Sequence, residues 1–197
     1  MNNYKAVLKS KMGKERYHHS ICVAKEAKNL AMHYGKDVQK AELAGLLHDI
    51  TKEFSKEEHL ALINKYKINL SKIEQYTPKL WHAITGPLYL RYELNVKDQD
   101  VLDAVRYHTT GRKKMEYLEK IVFIADFISE DRFKEFTGVK IARDIAYKDL
   151  DDGVLHELNY SITNLVSRES LLSLDTIEAY NYFMILKKEK AINEKAV

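Results

Sequence analysis

Two aspartates in this sequence stand where a carboxylate is energetically unfavourable. Asp49 follows His48 at the end of the apolar segment AELAGLLHDI, and Asp126 interrupts the apolar segment KIVFIADFIS. Both patterns are typical of buried helices, and burying a carboxylate without a partner costs on the order of several kcal/mol. A metal ion removes that penalty by supplying the opposite charge. The alternatives are that Asp49 caps its helix or pairs with Lys52, and that Asp126 faces solvent.

Four histidines are predicted to join these aspartates. At helical spacing His19 shares a face with apolar residues, whereas the adjacent His18 lies on a more polar face. His108 lies at the end of another apolar helix face. His82 precedes small residues that would leave room around it. A lone histidine of this kind is more often a hydrogen-bonded core residue, but four of them with two aspartates favour a metal site. The remaining histidines considered are left outside the site: His33 and His59 are predicted to lie on polar helix surfaces, and His156 lies in the charged run LDDGVLHEL.

The elements that position these residues are predicted to be helices throughout. Strand-like alternation and hairpin turns are absent, and the chain contains only two prolines and seven glycines. Gly35 and Asp37 predict a helix stop followed by an N-cap, and Pro87 predicts a kink or split in its helix. The predicted helices are 3–12, 15–34, 37–49, 56–66, 70–76, 79–93, 98–108, 115–130, 138–146, 149–168 and 174–190.

The sequence therefore predicts an all-α fold in one domain, residues 1–197. Its metal-site core spans about 15–132, and a C-terminal helical pair spans about 138–190. The final helices carry few catalytic candidates, so we expect them to serve in packing or in a homodimer.

Composition narrows the class of protein. Apolar residues make up 45% of the chain and charged residues 31%, as in ordinary globular proteins. A net charge of +3 suits a polyanionic ligand and is too small to indicate binding to duplex DNA. A basic patch interleaved with aromatic residues, as in single-strand binders, is also absent. The one cysteine, Cys22, excludes an intramolecular disulfide and a cysteine-based zinc cluster. With no apolar run of signal-peptide or membrane-spanning length, we expect a cytoplasmic protein without a membrane or nucleic-acid partner.

The order of the candidate ligands resembles the signature of the HD-domain metal-dependent phosphohydrolases, in the form found in members with two metals. That order is His19, His48, Asp49, His82, His108 and Asp126. Five local strings, in this order, resemble the YqeK-type branch, which consists of bacterial symmetrical hydrolases of diadenosine tetraphosphate. These strings are RYHHSICVAKEA, AGLLHDITKEF, WHAITGP, VRYHTTGR and IVFIADFISEDR. The chain departs from the branch at Ser129–Arg132, where a Glu-Pro pair usually precedes the arginine.

This resemblance implies the ligands of two metal ions. The first ion would be held by His19, His48, Asp49 and Asp126. The second would be held by His82, His108 and the bridging Asp49. Imidazole and carboxylate ligands suit iron, manganese, nickel or zinc, and the resemblance favours iron. A hydroxide between the two ions would then cleave diadenosine tetraphosphate symmetrically into two ADP.

Basic and hydroxyl groups near these ligands are candidates for binding phosphate. Lys52, one turn beyond Asp49, is predicted to act with it in catalysis and to contact phosphate. The other candidates are Thr109, Thr110, Gly111, Arg112 and Arg132. For Lys52 and Arg112 the alternative is plain surface charge. Other HD-type activities, a nucleotide phosphatase or a phosphodiesterase, and a non-catalytic nucleotide or metal sensor remain alternatives to hydrolysis of diadenosine tetraphosphate.

Overall fold

The chain folds as a bundle of α-helices. The computed structural model describes residues 1–134 and 138–195, and it contains no β-strand over these residues. The all-α prediction is confirmed, and each predicted helix is present with its ends shifted by a few residues. Short 3-10 turns occur at Pro78–Leu80 and Glu130–Lys134. In chain order the α-helices are α1 (Asn2–Lys11), α2 (Lys14–His33), α3 (Val38–Leu47), α4 (Lys56–Lys65), α5 (Lys72–Tyr76), α6 (Trp81–Tyr92), α7 (Gln99–Tyr107), α8 (Tyr117–Ile128), α9 (Gly138–Lys148), α10 (Leu150–Ser167) and α11 (Leu174–Lys195).

Side-chain caps fix where two of the helices that deliver metal-ligand candidates begin. The Asp37 carboxylate accepts hydrogen bonds from the first-turn amides of α3, as predicted, and Asp98 does the same for α7. Such caps satisfy main-chain donors that have no partner within the helix. His48 and His108 follow directly after the last residues of α3 and α7.

Pro87 lies inside α6, and of the two predicted outcomes, a kink or a split, the split does not occur. A proline within a helix removes the hydrogen bond to the carbonyl four residues earlier, here that of Ala83. The residues around it pack closely: Ala83 is fully buried and a Cβ on Gly86 would meet Val105 at 3.1 Å. Tertiary packing of α6 therefore maintains the helix.

A first hydrophobic cluster joins α2 and α8 to the last three helices. Leu30 of α2 and Phe123 of α8 pack in it with Leu158 of α10 and Phe183 of α11. Each of these side chains is almost fully buried, and burying a side chain of this size contributes about 1.5–3 kcal/mol before conformational entropy is subtracted. The C-terminal helical pair is thus part of the packing around the helix that carries Asp126.

A second hydrophobic cluster packs against a different face of α8. It contains Leu8 of α1, Leu47 of α3, Leu90 of α6 and Leu102 of α7, together with Val122 of α8. Because α8 contributes to both clusters, it is enclosed on two sides. This position explains why its sequence is apolar almost all round.

The described helices do not include a membrane span. None of them combines the length and the apolar character needed to cross a bilayer.

Candidate metal centre

The structure brings all the predicted metal ligands together at one point of the bundle. They come from five places in the chain: α2, the end of α3, which supplies both His48 and Asp49, α6, the end of α7, and α8. The four histidines and Asp49 are buried, and the side chain of Asp126 is 21% exposed. The residues that converge are His19, His48, Asp49, His82, His108 and Asp126.

One group of ligand atoms lies between α2, α3 and α8. His19 Nε2 is 3.0 Å from Asp126 Oδ1, and His48 Nε2 is 4.0 Å from the same oxygen. These three residues satisfy the spacing needed to hold one metal ion.

A second group surrounds Asp49. Its Oδ1 is 3.3 Å from His82 Nε2 and 3.4 Å from His108 Nε2. Its Oδ2 is 3.4 Å from His48 Nε2. His48, Asp49 and His108 meet the same spacing criterion, and His48 is shared between the two groups. The two oxygens of Asp49 therefore face different histidines.

Main-chain carbonyls orient three of the imidazoles. In each of these histidines Nδ1 donates a hydrogen bond to the carbonyl oxygen three residues earlier, at 2.7–2.8 Å. A carbonyl can only accept, so this contact assigns the proton to Nδ1 and leaves the Nε2 lone pair available to a metal. The pairs are His48 with Gly45, His82 with Lys79, and His108 with Val105.

His19 is oriented by a carboxylate instead. Its Nδ1 lies 2.7 Å from Asp131 Oδ2. Burial lowers the pKa of His19, but hydrogen bonds to Asp126 and Asp131 outweigh it and raise that pKa to about 9. Burial acts to raise the pKa of Asp131, but the contact with His19 brings it down to about 2. Asp131 was not assigned a role from the sequence, and it lies in the segment that departs from the family pattern.

The side chains present fit a divalent transition metal. His48 Nε2 and Asp49 Oδ1 are buried without a hydrogen-bond partner among the described residues. Although burial alone would raise the pKa of Asp49, nearby His48, His108 and Lys52 hold it well below its usual range, which favours the ionised carboxylate. A buried anion beside several imidazole lone pairs requires positive charge, and nitrogen and oxygen donors suit iron, manganese, nickel or zinc.

Two of the predicted phosphate-binding residues lie against the carboxylates. Lys52 Nζ is 3.5 Å from Asp49 Oδ1 and 2.9 Å from His82 Nε2. Arg132 Nη2 is 2.9 Å from Asp126 Oδ1, and its Nε donates to the main-chain oxygen of Asp126. Both cations are about one-third exposed, so they stand between the buried ligands and solvent.

Arg16 is a third cation at the centre, and sequence reasoning missed it. Its Nη1 lies 2.9 Å from Asp49 Oδ2, and its side chain is 30% exposed. The signal was available, because Arg16 precedes His19 by one helical turn and therefore shares its face. A basic side chain on the same face as a predicted ligand is a candidate for contact with an anionic substrate.

In the loop after α7, one residue contacts the metal ligands and its neighbours pack into the protein core. Thr109 Oγ1 is 3.0 Å from His108 Nε2 and 3.2 Å from His82 Nε2. Thr110 instead turns inward: its hydroxyl donates to the Gly111 carbonyl, and its own carbonyl accepts from Thr176. The structure thus brings Thr109 to the metal ligands but shows only main-chain and packing contacts for Thr110 and Gly111.

The structure does not bring the Arg112 guanidinium to the metal ligands. Arg112 Nε lies 2.7 Å from the buried Glu119, and Nη2 lies 3.3 Å from Asp103. The side chain lines a separate cavity of about 440 Å³ that contains none of the metal-ligand candidates and also includes Lys36. These contacts give Arg112 a partner in the fold, and its predicted phosphate contact has no counterpart in the geometry.

His59 is buried, so the prediction that it lies on a polar surface was wrong. Only 6% of the residue is exposed, and its Nδ1 is 2.8 Å from Thr85 Oγ1. The reason is tertiary, because α4 packs against α6 and covers this face of α4. His33, as predicted, is exposed, and it hydrogen-bonds the main-chain oxygen of Tyr147.

Comparison with known proteins places this centre in a family. A family model described as the HD domain matches residues 16–131. A symmetrical bis(5'-nucleosyl)-tetraphosphatase of Halalkalibacterium halodurans is 40% identical to the chain over 190 residues, which cover 95% of this chain and 100% of the relative. The chain belongs to the HD-domain family of symmetrical bis(5'-nucleosyl)-tetraphosphatases. A second member of that name, from Bacillus subtilis, is 35% identical to this HD-domain chain and covers 91% of it, with 95% of the relative matched.

A solved structure shares the HD-domain fold. It is a protein of Clostridium acetobutylicum described as a predicted HD superfamily hydrolase involved in NAD metabolism. The two chains are 34% identical and superpose with a TM-score of 0.89, covering 93% of this chain and 96% of the other. The two proteins therefore share nearly the whole arrangement of helices.

Proposed function

We propose that this HD-domain enzyme hydrolyses diadenosine tetraphosphate symmetrically into two ADP. The observation that carries the proposal is the buried cluster of imidazole and carboxylate groups in which His48 Nε2 and Asp49 Oδ1 lack a hydrogen-bond partner among the described residues. Three cations border that cluster: Arg16, Lys52 and Arg132. The names of the relatives from Halalkalibacterium halodurans and Bacillus subtilis support the choice of substrate.

The proposed centre takes two divalent transition metal ions, with iron as the first candidate and manganese, nickel or zinc as alternatives. The ligands assigned to the first ion are His19, His48, Asp49 and Asp126. Those assigned to the second are the bridging Asp49, His82 and His108. When bound, the ions supply a hydroxide nucleophile and polarise the phosphoryl oxygens. The orientation of the two Asp49 oxygens toward different histidines supports a bridging role.

The chain's own part is to bind and orient the phosphates. Lys52, Arg16 and Arg132 are partly exposed and already face ionised oxygens, so phosphate oxygens can be accepted on the same donors. The Thr109 hydroxyl, beside His82 and His108, is a further donor. Lys52 and Asp49 are the proposed catalytic pair, because Lys52 can offset negative charge that develops beside Asp49. The geometry assigns no contact with the metal ligands to Thr110, Gly111 or Arg112.

We also propose that the chain acts in the cytoplasm as one domain. The lone Cys22 is buried and unpaired, as suits a reducing compartment. The cluster shared by α2, α8 and the last three helices supports a single unit in which the C-terminal pair stabilises the metal-site core.

The test is anaerobic purification and metal analysis, followed by limited turnover of diadenosine tetraphosphate with chromatography of the products. We expect ADP alone, loss of activity on chelation, and recovery with iron or manganese. Release of ATP with AMP would show that the phosphate chain binds shifted by one phosphate relative to the metal centre. That result would contradict symmetrical cleavage. Faster turnover of mononucleotides or cyclic nucleotides in a matched panel would favour the other HD-type activities, and full activity in chelated enzyme would overturn the metal mechanism.

A further inference from the structure

A second binding surface adjoins the metal centre on the side of His82. It is a cavity of about 450 Å³, within the range of small-molecule sites. The segment after α3 and the start of α4 form one wall, with Lys52, Phe54 and Lys56. The start of α6 and the turn before it form another, with Lys79 and Trp81. Since Lys52 and His82 line both the cavity and the metal centre, the two sites are continuous.

The charge of this cavity is positive. Three lysines line it, and none of its described lining residues is acidic. Lys56 and Lys79 are exposed and form no ion pair with any described residue. The cavity beside Arg112 differs, because there Lys40 and Arg112 are both paired with carboxylates. Lysines without an acidic partner, in a cavity that adjoins a metal centre, suit a ligand that carries several phosphate charges.

The same cavity has an aromatic wall. The ring centroids of Phe54 and His59 are 5.9 Å apart, and those of His59 and Trp81 are 6.2 Å apart. Two of these rings are fixed by hydrogen bonds, since His59 Nδ1 contacts Thr85 Oγ1 and Trp81 Nε1 donates to the Glu74 carbonyl. His59 and Trp81 are nearly fully buried, whereas Phe54 is partly exposed, so Phe54 is the ring that can offer a stacking face to a nucleobase.

We propose that this cavity binds one nucleoside diphosphate arm of the substrate, with its phosphates on Lys52, Lys56 and Lys79 and its base against Phe54. The proposal rests on the proposed function for the identity of the substrate, because symmetrical cleavage divides it into two such arms. Lys52 occupies the junction, 2.9 Å from His82 Nε2, and Lys56 is the first residue of α4, four residues further along the chain. The arm therefore extends from the scissile phosphate toward α4.

The single tryptophan of the chain provides the test, because Trp81 lines the cavity. Chelator-treated protein is titrated with ADP while the emission of Trp81 is followed, and equilibrium dialysis gives the affinity independently. We expect a saturable change in emission, and a rise in Kd of about tenfold when Lys56→Ala and Lys79→Ala are combined. Lys36→Ala, which removes one lysine charge from the cavity beside Arg112, should leave the Kd unchanged.

The outcomes separate this proposal from the proposed function. ADP that binds without altering Trp81 emission, or equally well to the double variant, overturns the cavity assignment even if diadenosine tetraphosphate is hydrolysed normally. If ADP binding depends on these lysines but the protein fails to hydrolyse diadenosine tetraphosphate, the assignment of the cavity to a nucleoside diphosphate is supported. The proposed function is then contradicted. Steady-state measurements on the metal-loaded enzyme should show the double variant raising KM more than it lowers kcat.

Discussion

Asp131 Oδ2 accepts a hydrogen bond from Nδ1 of His19 at 2.7 Å. This contact turns the His19 imidazole so that Nε2 faces Asp126. It does for His19 what main-chain carbonyls do for the other three histidines, and a carboxylate additionally increases the basicity of the ring.

Asp131→Ala should therefore weaken metal binding without removing a ligand. Loss of a partner of this kind typically lowers metal affinity by about 10- to 100-fold. The measurement is metal retained against a graded series of chelator concentrations, with activity followed in parallel. Glu130→Ala is the matched control, because this neighbour forms only an exposed pair with Lys25. Equal metal retention in the Asp131 and Glu130 variants would contradict the positioning role.

The adjacent histidines of α2 give a second prediction. His19 is buried beside Asp126, whereas His18 is exposed and contacts Cys22. His19→Ala should lose bound metal and nearly all turnover, and His18→Ala should change neither appreciably. Asp49→Ala should behave like His19→Ala. Metal analysis and kcat are the measurements, and an inactive His18 variant beside an active His19 variant would require the ligand to be reassigned.

Two arginines should differ in the property that they control. Arg16→Ala removes a cation that faces Asp49 at the opening of the site, so kcat/KM should fall by about 10- to 100-fold with metal content intact. Arg112→Ala leaves the buried Glu119 without its cationic partner, so it should lower the melting temperature and leave kcat/KM near the wild-type value. The reverse pattern would restore the phosphate-binding role predicted for Arg112.

Gly111 should prove to be a structural residue. Its φ is 62°, in the left-handed region, and an added Cβ would lie 3.4 Å from Ala179 Cβ. Gly111→Ala should lower stability by about 1–2 kcal/mol with KM unchanged. Gly35→Ala is the control for backbone strain alone, because Gly35 has a φ of 60° with nothing near its Cβ. A raised KM with unaltered stability in the Gly111 variant would show a direct role in binding substrate.

Glu157 should make stability depend on pH. Burial, with Asp126 nearby, raises the pKa of Glu157 well above 4.5, and its Oε2 has no hydrogen-bond partner among the described residues. Between the two pKa values the folded protein holds a proton on Glu157 that the unfolded chain releases. The stability that comes from this proton is therefore complete below the pKa of Glu157 in the unfolded chain, and it is lost as the pH rises toward the pKa in the folded protein. Glu157→Gln should be more stable than the wild type at about pH 8, with the difference closing near about pH 4.

Thermal unfolding of chelator-treated protein across that range measures the effect. Glu189→Gln, on the exposed side of α11, serves as the control. A stability difference that instead widens toward acid pH would contradict the prediction that Glu157 is protonated in the fold.

Local pattern was sufficient to predict the helices and the residues that converge on the metal centre. Spacing along α2 assigned His19 rather than His18 to the buried face, and the apolar surroundings of Asp49 and Asp126 marked them as needing a partner. Such predictions succeed because the 3.6-residue period fixes which face of a helix a side chain occupies.

Tertiary structure alone decided which groups meet across those faces. His19 and Asp131 are 112 residues apart in sequence, and no local periodicity relates them. His59 is buried because α4 packs on α6, and Arg112 turns away from the metal ligands because Glu119 is buried beside it. A sequence pattern specifies the face that a residue presents, whereas the identity of its neighbours depends on how distant helices pack together.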